Sequence, residues 1–223
     1  STRRWAVKVL YKISLGHKNL RVICQNLTDL NYIQKTTSLP DKSFTIIDGS
    51  GVSLKKFQYT VDTNKIPKVM MASRMLKDKG VLEFVEAAKI IQNLGIQAAF
   101  ILVGSPDPGN PTSIPISQIQ DWAKKDILEF WGHQEDMNQI LGQASIIALP
   151  SYREGFPKVL IEAAAVGRPV VTTDVAGCRD AIYNGVTGLL VPAKDSNALA
   201  EAIKKLIVSP ETCHKMGLEG RKM

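Results

Sequence analysis

Apolar positions along this chain of 223 residues fall into two rhythms that alternate. Short unbroken apolar runs cover Val69-Met70-Met71-Ala72-Ser73, Ala98 to Val103, Ile127 to Trp131, Ser145 to Leu149, Pro169 to Thr173 and Gly188 to Val191. Runs of that length and uniformity predict strands buried on both faces. Between them the spacing turns helical. Gly80 to Asn93 places Val81, Phe84, Val85, Ala88 and Ile91 near one face, with Gly95 as a stop signal. Further helices are predicted over 116–125, 136–142, the segment after Pro157, 177–183, 196–208 and 211–220. Ser105 to Pro115 holds four prolines and reads as a loop. Strands alternating with helices predict an α/β fold built on a doubly wound parallel sheet. Such sheets bind ligands outside the carboxyl ends of their strands. Arg74, Gly104, Gly132 and Glu154 all follow strands.

The first third is patterned differently. Residues 3–14 predict a basic amphipathic helix, Arg21 to Cys24 a short strand, Asn26 a cap on a helix through Tyr32, and Thr45 to Ile47 another strand. Two strands are too few for a complete domain of this kind. Residues 52–67 read as a linker. The expected division is therefore 1–65, a remnant of one domain with its connecting segment, and 66–223, the domain that carries the doubly wound sheet. The chain opens on Ser1 rather than Met, as a piece cut from a longer protein would.

Charge sharpens this division. Up to Lys79 there are 15 Lys/Arg against 5 Asp/Glu, a net of +10, while the remainder carries 13 against 16, a net of −3. A basic N-terminal third suits an anionic membrane surface, nucleic acid or phosphorylated ligands, although solvated lysines explain most such charge. The composition is that of a soluble globular chain. Cys24, Cys178 and Cys213 form no metal or redox motif, so a reduced, cytoplasmic setting is expected. No apolar run reaches membrane-spanning length, and no signal peptide is evident.

Candidate chemistry concentrates in Glu154-Gly155-Phe156-Pro157-Lys158-Val159-Leu160-Ile161-Glu162. Pro157 suits the first position of a helix. Glu154 then lies in the loop from strand to helix, and Glu162 about a turn and a half into the helix. Helix N-termini attract anions through free N–H groups and the macrodipole. An isolated pair of glutamates is most simply an acid near a helix start and a solvated helical acid. Here Leu160, Ile161 and Ala163-Ala164-Ala165 flank Glu162, so burial with a partner is an equal reading. Two carboxylates beside an anion site suit a ligand bearing both phosphates and hydroxyls.

Several separated segments resemble one family in order and spacing. They are Ser73-Arg74 with Lys79-Gly80, Leu102-Val103-Gly104, Leu149-Pro150-Ser151, Glu154 to Glu162, Gly167 to Val171, Gly177, and Asn184 to Pro192. Over 66–210 the chain resembles the C-terminal, donor-binding domain of retaining GT-B-fold glycosyltransferases of the group 1, or family 4, class. The loop Gly49-Ser50-Gly51-Val52 and Phe57 resemble its interdomain segment. The resemblance implies transfer of a sugar from a nucleotide-diphosphate sugar to an acceptor hydroxyl, in bacterial polysaccharide or lipid-linked glycan synthesis, with neither cofactor nor metal. It implies Arg74 and Lys79 as ligands of the donor diphosphate and Glu154 as the contact to the sugar hydroxyls. It further implies Gly155, Phe156 and Pro157 as a cradle for sugar and phosphate, with Gly104 and Leu160 among the donor contacts. Glu162 would accept from the ribose hydroxyls. Residues near Trp131, Gly132 and His133 fall where the family holds the base; Trp131 reads equally as core, and His133 as a polar loop residue. A glycan or lipid-linked acceptor is the expected partner, with peripheral contact to an anionic membrane and no nucleic acid.

The residues also weigh against other classes. There is no Asp-x-Asp pair, no P-loop and no complete Gly-x-Gly-x-x-Gly run. A sugar-nucleotide epimerase or a glycan phosphorylase would share the same sheet. A non-enzymatic module binding nucleic acid or membrane through the basic third is the alternative from another class. The resembled family continues past Arg221-Lys222-Met223 into a helix that returns to the N-terminal domain. The chain alone is therefore expected to bind donor without transferring sugar.

Overall fold

The computed structural model describes residues 2–17, 19–37 and 39–223. The N-terminal unit holds α1 (Thr2–Ser14), β1 (Val22–Cys24), α2 (Leu27–Thr36) and β2 (Phe44–Ile46). β1 and β2 pair in parallel as a two-stranded sheet, Val22 opposite Phe44. Asn26 caps α2, its side chain accepting from the Asp29 backbone N–H. α1 leaves Trp5, Leu10 and Ile13 exposed.

The rest is built on β3 (Lys68–Ala72), α3 (Val81–Asn93), β4 (Ala99–Val103), α4 (Ile116–Lys124), β5 (Glu129–Gly132) and α5 (Met137–Gly142). It continues through β6 (Ile146–Leu149), α6 (Lys158–Ala165), β7 (Val170–Thr173), β8 (Gly188–Val191), α7 (Ser196–Ile207) and α8 (Pro210–Lys222). The six strands are parallel, in the order β5-β4-β3-β6-β7-β8. Every residue of β6 and β7 is buried, as a strand covered on both faces requires. The chain winds outward one way through β4 and β5 and the other way through β7 and β8. The loops after β3 and β6 therefore part at their carboxyl ends, and a crevice opens there.

The helix capped by Asn26 runs on past Tyr32 to Thr36, and three further predicted elements end elsewhere. The strand expected over Ile127 to Trp131 begins only at Glu129. Asp126 is left-handed at φ 54°, and the Ile127 N–H returns to the Trp122 carbonyl, so these residues close α4 instead. Residues 177–183 yield only a 3-10 turn, Arg179–Ala181. Pro157 is the residue before α6 rather than its first, with an extended ψ of 111°. It contributes its carbonyl, which accepts from the Leu160 N–H at 3.1 Å.

Residues 52–67 lack regular structure but do not hang free. Phe57 is buried in the core of the six-stranded unit. The buried Arg168 holds the strap down, donating from Nη1 to the Thr60 carbonyl (2.7 Å) and from Nη2 to Thr60 Oγ1 (2.8 Å) and the Gly142 carbonyl (2.6 Å). No carboxylate pairs with Arg168 among the described residues, and its Nε has no partner there. Arg168→Leu removes every hydrogen bond the guanidinium makes and takes the strap's anchor from the Thr60 carbonyl. It should lower stability by about 2–4 kcal/mol, a fall in melting temperature of roughly 5–15 °C in a calorimetric scan.

Candidate functional site

The crevice is shaped by backbone approach. The Gly104 N–H donates to the Gly132 carbonyl at 2.7 Å, tying the ends of β4 and β5. A Cβ on Gly104 would stand 1.9 Å from the Ser73 carbonyl oxygen, so only glycine lets β3 and β4 close up here. Above these ends lies a cleft of about 550 Å³, lined by Arg74, Gly104, Asp107, His133, Val159 and Glu162 among others. Arg74 is exposed and meets Asp107 Oδ2 at 2.8 Å. Glu162 is 6% exposed, and Lys158, one turn earlier on α6, reaches its Oε1 at 3.2 Å. Glu162 is thus a buried carboxylate with one partner at the cleft wall, able to accept further hydrogen bonds.

Lys79 and Glu154 come from opposite sides of the reversal, one from the loop after β3 and one from the loop after β6. Lys79 Nζ lies 2.6 Å from Glu154 Oε1, and the two side chains are only 22% and 11% exposed. Gly155, Phe156 and Pro157 follow directly, with Pro157 buried and the others half-buried. The thiol of Cys178 is buried nearby and pushed up to about 11 by that burial, with Glu154 adding to the rise.

One expectation needs correcting. The Leu160 side chain is fully buried in the core and is not part of the cleft wall. Residues two apart on a helix do not share a face, so an α6 that turns Glu162 to the cleft turns Leu160 inward. Trp131 packs against the core and donates from Nε1 to Glu129 Oε2 at 2.8 Å; His133, not Trp131, borders the cleft.

Other residues went unnoticed as site residues. Asp107 sits in the proline-rich loop and pairs with Arg74. Tyr152 donates to Glu83 Oε1 at 2.6 Å, holding the loop after β6 against α3. Burial and the Glu83 carboxylate push the Tyr152 phenol well above its usual range. Among the described residues no three His, Cys, Asp or Glu side chains gather as a metal site would need, and no helix is long and apolar enough to cross a membrane.

A six-stranded parallel sheet whose order reverses beside β3, with paired cations and carboxylates at the reversal, defines the Rossmann-like half of a GT-B fold. Residues 66–209 match the family model for group 1 glycosyl transferases, and the chain belongs to that family. It is 30% identical over 217 residues to an N,N'-diacetylbacillosaminyl-diphospho-undecaprenol alpha-1,3-N-acetylgalactosaminyltransferase of Campylobacter jejuni, covering 92% of this chain and 55% of that protein. It is 32% identical over 220 residues to the capsular polysaccharide biosynthesis glycosyltransferase CapM of Staphylococcus aureus, covering 94% and 54%. Among solved structures, the sucrose-phosphate synthase of Thermosynechococcus elongatus superposes with a TM-score of 0.82 at 28% identity, over 96% of this chain and 55% of that one. The chain thus spans about half the length of the relatives it matches.

Proposed function

We propose that the chain is the donor-binding part of a retaining glycosyltransferase that uses a nucleotide-diphosphate sugar without a metal. One observation carries this reading. Arg74 and Glu162 line one cleft at the carboxyl ends of the strands, and the Lys79–Glu154 pair joins the loops that follow β3 and β6, so that phosphates and hydroxyls would both find partners at this end of the sheet. Arg74 and Lys79 would stabilise the charge that grows on the departing diphosphate. Glu154 would accept from the sugar hydroxyls, Glu162 from the ribose, and Gly104, Gly155, Phe156 and Pro157 would offer close backbone. The acceptor hydroxyl would attack on the face the diphosphate leaves, through an oxocarbenium-like state. The names of the Campylobacter and Staphylococcus relatives support an acceptor in polysaccharide or lipid-linked glycan synthesis. The basic N-terminal third and the exposed Trp5, Leu10 and Ile13 of α1 support peripheral contact with the inner, anionic face of a membrane.

Calorimetry with nucleosides, their diphosphates and the corresponding sugars tests this. Glu162→Ala should weaken the diphosphate, and Glu154→Ala chiefly the extra affinity given by the sugar, by about 1.5–3 kcal/mol each. Arg74→Ala should weaken the diphosphate more than the nucleoside, and a chelator should change nothing. Unchanged affinity in both glutamate variants would sink the assignment.

A further inference from the structure

Asn26 is 1% exposed and uses its side chain for more than a helix cap. Its Oδ1 accepts from the Asp29 backbone N–H at 2.8 Å. Its Nδ2 donates to Asp29 Oδ2 at 3.0 Å and to the Gly155 carbonyl at 2.9 Å. These partners fix which way the amide faces, because a donor lies on one side and two acceptors on the other. Serine or aspartate would cap α2 as well. Of these three residues, only asparagine caps the helix and also gives an N–H to the loop between β6 and α6.

That second bond reaches the peptide unit on which the donor cradle turns. The Gly155–Phe156 peptide is trans, so its carbonyl and its N–H point in opposite directions within one plane. Tying the carbonyl to Asn26 aims the Phe156 N–H the other way. Among the described residues that N–H meets no protein acceptor. Neighbours from the N-terminal unit hold the same loop. Asp29 Oδ1 lies 3.2 Å from Arg153 Nη2, and Gly49 packs on the Phe156 ring so closely that a Cβ would stand 2.6 Å from its Cδ1.

We infer that Asn26 is a positioning residue for the donor: by orienting the Gly155–Phe156 peptide it sets the N–H and the Glu154 carboxylate that meet the sugar diphosphate. The N-terminal unit is thereby coupled to donor recognition. The inference rests on the donor role proposed for this loop.

The test uses the 223-residue chain and a panel of UDP-, GDP-, ADP- and dTDP-sugars, with the matching diphosphates and nucleosides. Asn26→Ser keeps a capping oxygen and loses the amide. It should melt close to wild type and bind nucleoside unchanged, yet lose about 5–15-fold in affinity for the sugar nucleotide. Asn26→Asp keeps the cap but turns a carboxylate toward the Gly155 carbonyl, and should lose more. Sugar-nucleotide affinity unchanged in both variants, in a wild-type chain that binds, overturns the inference alone. So does a loss that extends equally to the nucleoside. A wild-type chain that binds none of the panel overturns the inference together with the reading beneath it.

Discussion

Gly177→Ala is expected to unseat the Glu154 loop and remove sugar-nucleotide binding. Gly177 has φ +77°, where an alanine is strained by about 1–2 kcal/mol. The larger effect is steric. A Cβ there would lie 2.3 Å from the Gly155 carbonyl oxygen and 2.7 Å from that of Glu154. Both are backbone atoms, so no side-chain rotation relieves the contact, and the loop must move as a body. Its movement would pull Gly155 off Asn26 and Glu154 off Lys79. The expected cost is about 2–4 kcal/mol of stability, a fall in melting temperature of roughly 5–15 °C. Gly95→Ala is the control, because Gly95 shares the left-handed backbone (φ +70°) but has nothing within 4 Å of the added carbon. It should show the backbone strain without the loss of binding. Calorimetric melting and ligand titration of the two variants check this. A Gly177→Ala chain that binds as well as Gly95→Ala would show that the loop does not depend on this approach.

How far the sequence could reach depended on the range of each interaction. The four central strands of the large sheet, β3, β4, β6 and β7, were legible because burial on both faces leaves a uniform apolar run, a local signal. Arg74, Gly104 and Glu162 were legible through their places at strand ends and in the following helix, and the cleft brings them together. The start of β5 was not legible, since Ile127 and Leu128 are apolar for a different reason, closing α4 onto the core. Leu160 was misplaced because a motif carried over by resemblance does not say which way a helical side chain turns. Asn26 was legible as a cap but not as a partner of Gly155, 129 residues away. Nor did any pattern tie Asp107 to Arg74, because that pair depends on where a proline-rich loop folds back. The packed strap of residues 52–67 escaped for the same reason: its anchors, Arg168 and Gly142, belong to other elements.

Lys79→Ala should then produce the deepest loss of diphosphate affinity, and Glu154→Ala on top of it should give part of that affinity back. The two side chains form an ion pair that is largely out of water. Removing the lysine does two things. It deletes a cation from the phosphate site, and it leaves a poorly solvated carboxylate with no counter-ion where a doubly charged ligand must sit. Breaking one partner of such a pair costs more than the pair is worth intact, about 3–5 kcal/mol at full burial and less here, where Lys79 keeps some exposure. A loss of about 2–4 kcal/mol, or roughly 30- to 1000-fold in affinity, is expected for the diphosphate. The exposed Arg74–Asp107 pair predicts a milder result for Arg74→Ala, because water screens it. In the double variant the repulsive carboxylate is gone, so only the missing cation remains. Diphosphate affinity should recover to within about 10-fold of wild type, a coupling of roughly 1–3 kcal/mol between the two sites. The sugar increment should stay lost, since the same carboxylate is its proposed acceptor. Titrating the four members of the cycle with diphosphate and sugar nucleotide separates these effects. Strictly additive losses would mean that Glu154 does not face the phosphate at all, and the pair would then be a strut between two loops rather than part of the donor site.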